Sequence, residues 1–271
     1  MSACVDGDAG SDHELLNRGH VELRGRIMPA SNATFFGTVT LDGIAVDCVY
    51  KPVAGERPLW DFPLGTLAGR EVAAYAVSEA LGWDVVPPTV LRGDGPAGVG
   101  MLQAWREPDP GQDPVDIVPG GTVPEGYLHV LDAYDATDQP VTLVHEDSEE
   151  LLRMAVFDVV VNNADRKGGH VLAMPDGRRF GVDHGIAFHT EDKLRTVLWG
   201  WAGEPLDDRL AADLRRLLDQ LCDPDPLASA LSRLVDAEEV AATRLRVEAL
   251  LRHGTMPTPS RRRPAIPWPA F

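Results

Sequence analysis

Two aspartates lie in polar loops that each follow an apolar run. In the first loop, residues 159–172 read VVVNNADRKGGHVL and place Asp165 beside two basic residues. In the second, residues 180–188 read FGVDHGIAF and place Asp183 before a His-Gly pair. One carboxylate of this kind can orient a hydroxyl group while the other holds a metal ion on phosphate groups. The two loops therefore predict a site for a nucleotide and a metal ion.

Three antiparallel strands are predicted upstream of these loops. Polar and apolar residues alternate over 21–27 and 44–50, an apolar stretch covers 34–41, and the Asp-Gly pair at 42–43 is a strong hairpin signal. The third strand ends at Lys51, one of only three lysines in a chain with 22 arginines. Because Arg is used almost wherever a plain positive charge is needed, a retained Lys favours a position that needs a compact ammonium.

The helix predicted over residues 66–82 carries a carboxylate that needs a partner. Thr66 can cap its beginning and Gly82 can end it. Apolar residues cover two of its sides, so Glu71 is expected to be buried and paired. Lys51 is the natural partner. The alternative is that Glu71 reaches solvent.

Two further segments are expected to border a nucleotide. The turn over residues 29–33 can close on it through Ser31, Asn32 and backbone N–H groups, although the turn is not rich in Gly and an ordinary hairpin is the alternative. A second hairpin ends near Gln103, where two lobes are expected to meet. Backbone groups usually read an adenine edge at such a crossing, so the Gln103 side chain itself says little.

Charge and cysteine content limit the partners. The formal net charge is −17, and residues 106–150 hold twelve acidic residues and one Arg. Such a surface argues against nucleic acid and anionic membranes as partners. Residues 106–146 are expected to form a partly ordered insertion with one short helix or strand. The three cysteines (Cys4, Cys48 and Cys222) form no CxxC motif, which suits a reducing cytoplasm and gives no zinc site.

The ends of the chain are expected to be loose. Residues 1–17 read as an irregular start, and the polar N-terminus predicts no signal peptide. No apolar run is long enough to span a bilayer. The Pro-rich residues 257–271 predict a strap or a disordered end.

Taken in chain order, these features resemble the signature elements of protein kinases. These are a Lys on a strand, a Glu on a helix, a hinge strand, a loop with an Asp and a loop with an Asp-x-Gly motif. The local sequences resemble the phosphatidylinositol 3-/4-kinase family. The type II phosphatidylinositol 4-kinases with their bacterial relatives are the most similar members, and a family of actinobacterial kinase-like proteins is similar along the whole chain. The segments that carry the resemblance are VYKP at 49–52, EVAAY at 71–75, VPPT at 86–89, NADR at 163–166 and VDHGIAF at 182–188.

The resemblance implies an α+β, two-lobed, protein-kinase-like fold. Residues 1–105 would form an N-lobe with an ATP-binding antiparallel sheet and one helix, and residues 106–271 a mainly helical C-lobe. The implied reaction is transfer of the γ-phosphoryl group of ATP to a hydroxyl group of a lipid, a small molecule or a protein. The small size and acidic surface argue against a lipid acceptor.

The resemblance also implies residue roles. Lys51 would hold the α- and β-phosphates, and Glu71 would orient Lys51. Asp165 would accept the proton of the attacking hydroxyl group or orient that group. Arg166 or Lys167 would neutralise charge on the transferring phosphoryl group.

The implied metal site departs from the family at one ligand. Asp183 would bind Mg²⁺, but His170 stands where the family normally places an Asn ligand. An imidazole suits softer ions than Mg²⁺, so the departure predicts tolerance of one Mg²⁺, a preference for Mn²⁺, or a weak kinase. The open alternatives are a nucleotide-binding regulator (a pseudokinase) and an enzyme that transfers AMP.

Overall fold

The structure, a computed structural model, describes residues 9–28, 30–222, 224–260 and 263–271. Cys4 and position 29 of the predicted turn lie outside the described residues. The first part of the chain contains two helices and five strands. They are α1 (Ala9–Arg18), β1 (His20–Arg26), β2 (Phe35–Leu41), β3 (Ile44–Pro52), α2 (Leu67–Leu81), β4 (Thr89–Gly95) and β5 (Gly98–Ala104).

The five strands form one antiparallel sheet in the order β1-β2-β3-β5-β4. The predicted hairpin between β2 and β3 is present, with Leu41 opposite Ile44. Asp42 and Gly43 both have positive φ, which a two-residue turn between twisted strands requires. Lys51 lies near the end of the central strand β3, opposite Met101 of β5.

Helix α1 covers one face of this sheet. Leu16 from α1 packs with buried residues of the strands, among them Cys48 and Tyr50, to form a small core. The Arg92 guanidinium donates to the carbonyl groups of Leu16 and Gly19 and so fixes the end of the helix. The prediction of an irregular start is therefore wrong for residues 9–18. The small core lies behind the face from which Lys51 projects.

The second part of the chain contains three strands, then helices interrupted by a small hairpin. These elements are β6 (Val115–Pro119), β7 (Tyr127–Tyr134), β8 (Pro140–Glu146), α3 (Glu149–Val161), β9 (Val171–Ala173), β10 (Arg179–Gly181), α4 (Asp208–Gln220), α5 (Pro226–Leu231) and α6 (Ala237–His253). The expectation of a partly ordered insertion over residues 106–146 is wrong, because β6, β8 and β7 form a continuous antiparallel sheet. This sheet has buried apolar residues, such as Leu143 and Val144, that stabilise it although its acidic residues face solvent.

Helix α2 packs into the larger core with the C-terminal helices, not only against the sheet. Its buried residues, such as Ala73 and Val77, belong to the same apolar cluster as residues of α3, α4 and α6. A methyl group added at Gly69 would lie 2.7 Å from the carbonyl oxygen of Leu234, so helix and loop are in close contact. Arg70 is buried and pairs with Glu239 of α6 at 2.7 Å. Helix α2 is therefore held from both parts of the chain.

The predicted fold class is confirmed. An antiparallel sheet and α2 form the first part, and a mainly helical second part contacts them, which is the two-lobed arrangement of a kinase-like fold. The proposed boundary between residues 105 and 106 stays a prediction. Within the described residues, no helix is both long enough and apolar enough to cross a membrane.

The pair between Arg70 and Glu239 gives a stability prediction. Arg70→Met should lower the free energy of unfolding by about 3–5 kcal/mol, because it leaves a buried carboxylate without its cation. The matched control is Arg244→Met, which breaks an exposed pair with Glu248 on the same helix α6 and should change the stability far less, because solvent screens an exposed pair. Urea unfolding monitored by circular dichroism measures both. Equal losses in the two variants would contradict the assignment.

Candidate active site

One ammonium group lies between two carboxylates at the centre of the site. Lys51 Nζ donates to Glu71 Oε1 at 2.6 Å and to Asp183 Oδ1 at 2.7 Å. The other Glu71 oxygen, Oε2, accepts from the backbone N–H of His184 at 2.8 Å. The predicted pair between Lys51 and Glu71 is thus present, and the alternative of a solvent-exposed Glu71 is wrong. The same contacts fix the loop that carries Asp183.

The protonation states follow from burial and from these contacts. The Lys51 ammonium holds the pKa of Asp183 well below its usual range. Burial raises the pKa of Glu71, although Lys51 opposes this rise. Burial alone would lower the pKa of Lys51, but Asp183 and Glu71 outweigh it and raise that pKa. Near neutral pH the Lys51 ammonium and the Asp183 carboxylate are therefore both charged.

The loop that follows α3 is organised by a buried ion pair. Helix α3 ends at Val161 and is followed by the capping residue Asn162, whose φ of 54° lies in the left-handed region. Asp158 Oδ1 accepts from Arg166 Nη2 at 2.9 Å, and neither side chain has any exposed surface. Asn163 donates to the same Asp158 oxygen and accepts from the backbone N–H of Asp165. Buried contacts of Asp158, Arg166 and Asn163 therefore fix the conformation of this loop.

Arg166 lies in the interior, away from the cleft. Its guanidinium also donates to the carbonyl groups of His170 and Val182 and contacts His184 Nε2 at 2.6 Å. These partners, together with Asp158, surround the guanidinium completely. The structure thus leaves no open side on which Arg166 could meet a phosphoryl group, and of the two predicted cations only Lys167 remains near the cleft.

His184 accepts from Arg166 through Nε2, so its proton is on Nδ1. Nδ1 has no hydrogen-bond partner among the described residues. Burial, reinforced by Arg166, holds the pKa of His184 well below its usual range. Below about pH 6.5 the unfolded chain therefore binds a proton that the folded chain does not, and His184 makes the fold less stable as the pH falls.

Asp165 and Lys167 are partly exposed neighbours. Lys167 Nζ lies 3.8 Å from Asp165 Oδ2, and the side chains are 20% and 30% exposed, respectively. Burial raises the pKa of Asp165, and the Lys167 ammonium opposes this rise. A carboxylate whose pKa is raised is a better proton acceptor than an ordinary one. The pair is therefore suited to orient a hydroxyl group and to take up its proton.

His170 turns one nitrogen toward Asp183. Its Nδ1 lies 2.9 Å from the carbonyl oxygen of Asp165, so the proton of the neutral ring is on Nδ1. Its Nε2 is then free of a proton and lies 3.5 Å from Asp183 Oδ2. Burial lowers the pKa of His170, against the opposing effect of Asp183. The described residues contain no group of three or more His, Cys, Asp or Glu side chains that could hold a metal ion.

Four of the groups described above, Lys51, Glu71, Asp165 and Asp183, line a cleft of about 370 Å³ between the sheet and the second part of the chain. Asn32 and Ser31 are on its wall, as predicted by their loop position, but Asn32 Oδ1 already accepts from the backbone N–H of Arg57. Gln103 is buried and donates to Thr89 Oγ1, so its side chain belongs to the sheet interior. The other residues around the cleft are Lys51, Pro52, Glu56, Arg57, Pro58, Leu59, Leu67, Ala68, Glu71, Asp165, Asp183, Gly185 and Ile186.

Two structural residues of the site were missed by sequence reasoning. Asp158 holds Arg166, and Glu56 accepts from the backbone N–H groups of Leu67 and Ala68 at the beginning of α2. The signal for Asp158 was present, because an Asp inside the apolar stretch of α3 must find a buried partner. Glu56 gave no signal, since its partners are backbone groups that any residue would supply.

A bacterial protein of similar length is related to this chain in sequence. The chain is 53% identical over 269 residues to protein Rv2133c of Mycobacterium tuberculosis, covering 96% of this chain and 95% of that protein, whose name states no activity. No protein-family model matches the chain. A crystal structure of a Helicobacter pylori proinflammatory kinase, CtkA, is similar over 87% of this chain and 97% of its own, with 11% identity and a TM-score of 0.40. A likeness this weak does not assign an activity to the chain.

Adjacent basic residues allow a direct test of the buried position of Arg166. Arg166→Met should lower the free energy of unfolding by about 3–5 kcal/mol, because Asp158 loses its buried partner. Lys167→Met removes a partly exposed cation from the same loop and should cost no more than about 1 kcal/mol. Chemical denaturation of both variants gives the comparison. If Arg166→Met were as stable as Lys167→Met, the buried pair would not hold the loop.

Proposed function

We propose that this chain, which belongs to the family of protein Rv2133c, is a kinase that transfers the γ-phosphoryl group of ATP to a hydroxyl group. The observation that carries the proposal is the contact of Lys51 with both Glu71 and Asp183 at the base of a cleft that also contains Asp165. Phosphoryl transfer requires an ammonium on the phosphates, a carboxylate for the metal ion and a carboxylate for the nucleophile. Each of these groups is present on a separate element.

The chemistry of the cleft fits a nucleotide. Its volume lies within the usual range for small-molecule sites, about 300–1,000 Å³. Lys51 is the residue that would hold the α- and β-phosphates, and Glu71 keeps its ammonium in place from the interior. The backbone N–H groups near Ser31 and Asn32 would close over the phosphates from the sheet side. We assign Gln103 to the strand that borders the adenine, with backbone groups and not the side chain as the contacts.

The donor set also fits a divalent cation. Lys51 contacts only Oδ1 of Asp183, and Oδ2 of the same carboxylate lies 3.5 Å from His170 Nε2. Asp183 supplies a hard oxygen ligand and His170 a free imidazole nitrogen, a pair that Mn²⁺ accepts more readily than Mg²⁺. A bound Mg²⁺ or Mn²⁺ supplies charge neutralisation on the β- and γ-phosphates.

The remaining roles fall to the loop after α3. Asp165 orients the acceptor hydroxyl group and takes up its proton as the bond from that oxygen to the γ-phosphorus forms. The bond from the γ-phosphorus to the β-phosphate oxygen breaks in the same step, and ADP leaves. Lys167, whose ammonium lies beside Asp165, stabilises negative charge on the transferring group. Arg166 has a positioning role, because it holds the backbone of His170 and Val182 around the site.

We further propose a distant relationship to the phosphatidylinositol 3-/4-kinases, supported by the segments NADR and VDHG that lie at the site. The acceptor class stays open among a lipid, a small alcohol and a protein hydroxyl group. We place the reaction in the cytoplasm, because Cys48 and Cys222 are free thiols and ATP is the donor. The acidic surface makes nucleic acid an unsuitable partner.

The activity is tested with γ- and α-labelled ATP in parallel, with Mg²⁺ and with Mn²⁺. We expect the γ-label to appear on the protein or on a hydroxyl acceptor, and Asp165→Ala and Asp183→Ala each to reduce it by about 100-fold or more, because each removes a group that acts in the transition state. Glu248→Ala, which removes an acidic residue that pairs with exposed Arg244 on α6, is the control.

The labels also separate the alternatives. Transfer of the α-label would show that the chain moves AMP. Metal-dependent binding of ATP without transfer to any acceptor would favour a nucleotide-binding regulator. Absence of ATP binding would refute the proposed function together with its site assignments.

His170 gives a prediction about metal choice. His170→Asn replaces the imidazole by an oxygen ligand, so we expect the ratio of activity with Mg²⁺ to activity with Mn²⁺ to rise by about tenfold, in line with the ligand preferences of the two ions. Steady-state rates over a titration of each metal ion measure this ratio. An unchanged ratio would mean that His170 does not contact the metal ion.

A further inference from the structure

We propose that residues 263–271 form a strap that positions the loop of the phosphoryl-transfer site, with Phe271 as a positioning residue. This inference rests on the proposed function for its kinetic consequence. The strap is defined here as residues 263–271, which follow α6 in the chain and return to the site from outside the larger core. Its end contacts Gly168 in the loop after α3, and its middle contacts the segment around Thr196.

The end of the strap contacts Gly168 directly. The carbonyl oxygen of Ala270 accepts from the backbone N–H of Gly168 at 2.8 Å. A methyl group added at Gly168 would lie 2.7 Å from Cδ1 and Cζ of Phe271 and closer still to Cε1, so the ring lies across the bare Cα of this glycine. The backbone of Gly168 is not in the left-handed region, so a side chain at this position would have to displace the Phe271 ring but would meet no strain from the backbone conformation.

The middle of the strap contacts the segment that follows Asp183. The carbonyl oxygen of Ala265 accepts from the backbone N–H of Thr196 at 3.0 Å and from Trp199 Nε1 at 2.9 Å. Thr196 in turn pairs with Arg166 in a parallel bridge. Backbone hydrogen bonds therefore connect the strap to the segment around residue 196 and to the loop after α3, and these two segments also pair with each other.

Gly168 begins a turn of 3-10 helix, Gly168–His170, that follows Lys167 and carries His170 at its end. Lys167 precedes this turn and His170 ends it. Any rotation of the turn would move the Lys167 ammonium relative to Asp165 and the His170 ring relative to Asp183. Because the strap holds the first residue of the turn from outside, it sets both distances without touching the nucleotide cleft.

The test compares two truncations on the same strap. Phe271→Ala removes the ring from Gly168, whereas Trp268→Ala removes a side chain that is 91% exposed. We expect Phe271→Ala to lower kcat by about tenfold with KM for ATP changed by less than about twofold, because the turn is displaced while the nucleotide wall is intact. Trp268→Ala should match the wild type in both constants.

The close contact supplies a second, more specific variant. Gly168→Ala alone should lower kcat by about tenfold, because its methyl group displaces the ring. Combined with Phe271→Ala, the same methyl group meets no ring. The double variant should therefore be no less active than Phe271→Ala alone. Additive losses in the double variant would overturn the contact as the cause.

A readout independent of catalysis separates this inference from the proposed function. Hydrogen exchange of the backbone amides over residues 167–171 should be faster in Phe271→Ala than in the wild type, and unchanged in Trp268→Ala. If the wild type transfers no phosphoryl group, the proposed function fails but the exchange data still decide the role of the strap. Equal exchange in all three proteins would overturn the strap.

Discussion

The position of Lys51 is the constraint on which the other parts of the site depend. Its ammonium reaches carboxylates from helix α2 and from the loop after β10, so one side chain of the sheet connects three separate segments. An ammonium is suited to this because it donates three hydrogen bonds from a single point. Two bonds are used by Glu71 and Asp183, and the third direction is available to the cleft. Glu71 uses its second oxygen to hold the backbone of the Asp183 loop, which completes a closed set of contacts.

Buried arginines hold these segments from behind. Arg70 connects α2 to α6 and also donates to the carbonyl group of Ala187, just beyond the Asp183 loop. Arg166 connects the loop after α3 to Asp158 and to the carbonyl groups on either side of β9 and β10. A buried ion pair contributes little net stability, but its loss leaves an uncompensated charge. Both pairs therefore act mainly to select one arrangement of the loops.

Much of this arrangement could be predicted from the sequence, and particular residues show where the prediction stopped. The first strands, the hairpin at residues 42–43 and helix α2 follow from local alternation, from turn residues and from Gly82 at the helix end, which act over a few positions. The predicted cap at the other end of α2 was wrong, because the Thr66 side chain makes no capping hydrogen bond and Glu56 accepts from the first backbone N–H groups instead. The pairing of Lys51 with Glu71 followed from a simpler requirement, because a buried carboxylate needs a cation.

The role assigned to Arg166 shows the limit of a motif. The sequence places Arg166 beside Asp165, but only the fold shows that its side chain turns to Asp158 in the preceding helix. The sheet of β6, β7 and β8 was missed because its acidic surface residues conceal the buried ones, and the contact of Phe271 with Gly168 was missed because it joins positions about one hundred residues apart.

The close packing of α2 has a consequence for how the cleft meets a ligand. Gly69 lies against the loop at Leu234, and the buried guanidinium of Arg70 joins the helix to α6, so a rotation of α2 away from the sheet would break both contacts. Lys51 and Glu71 are therefore already in contact before any ligand arrives, and binding need not supply the free energy to assemble them. Association is then governed by diffusion into the cleft and by the charges at its entrance. Because these contacts would have to break before α2 could rotate outward, we expect control over the protein to act on entry to the cleft, on the acceptor or on the amount of protein.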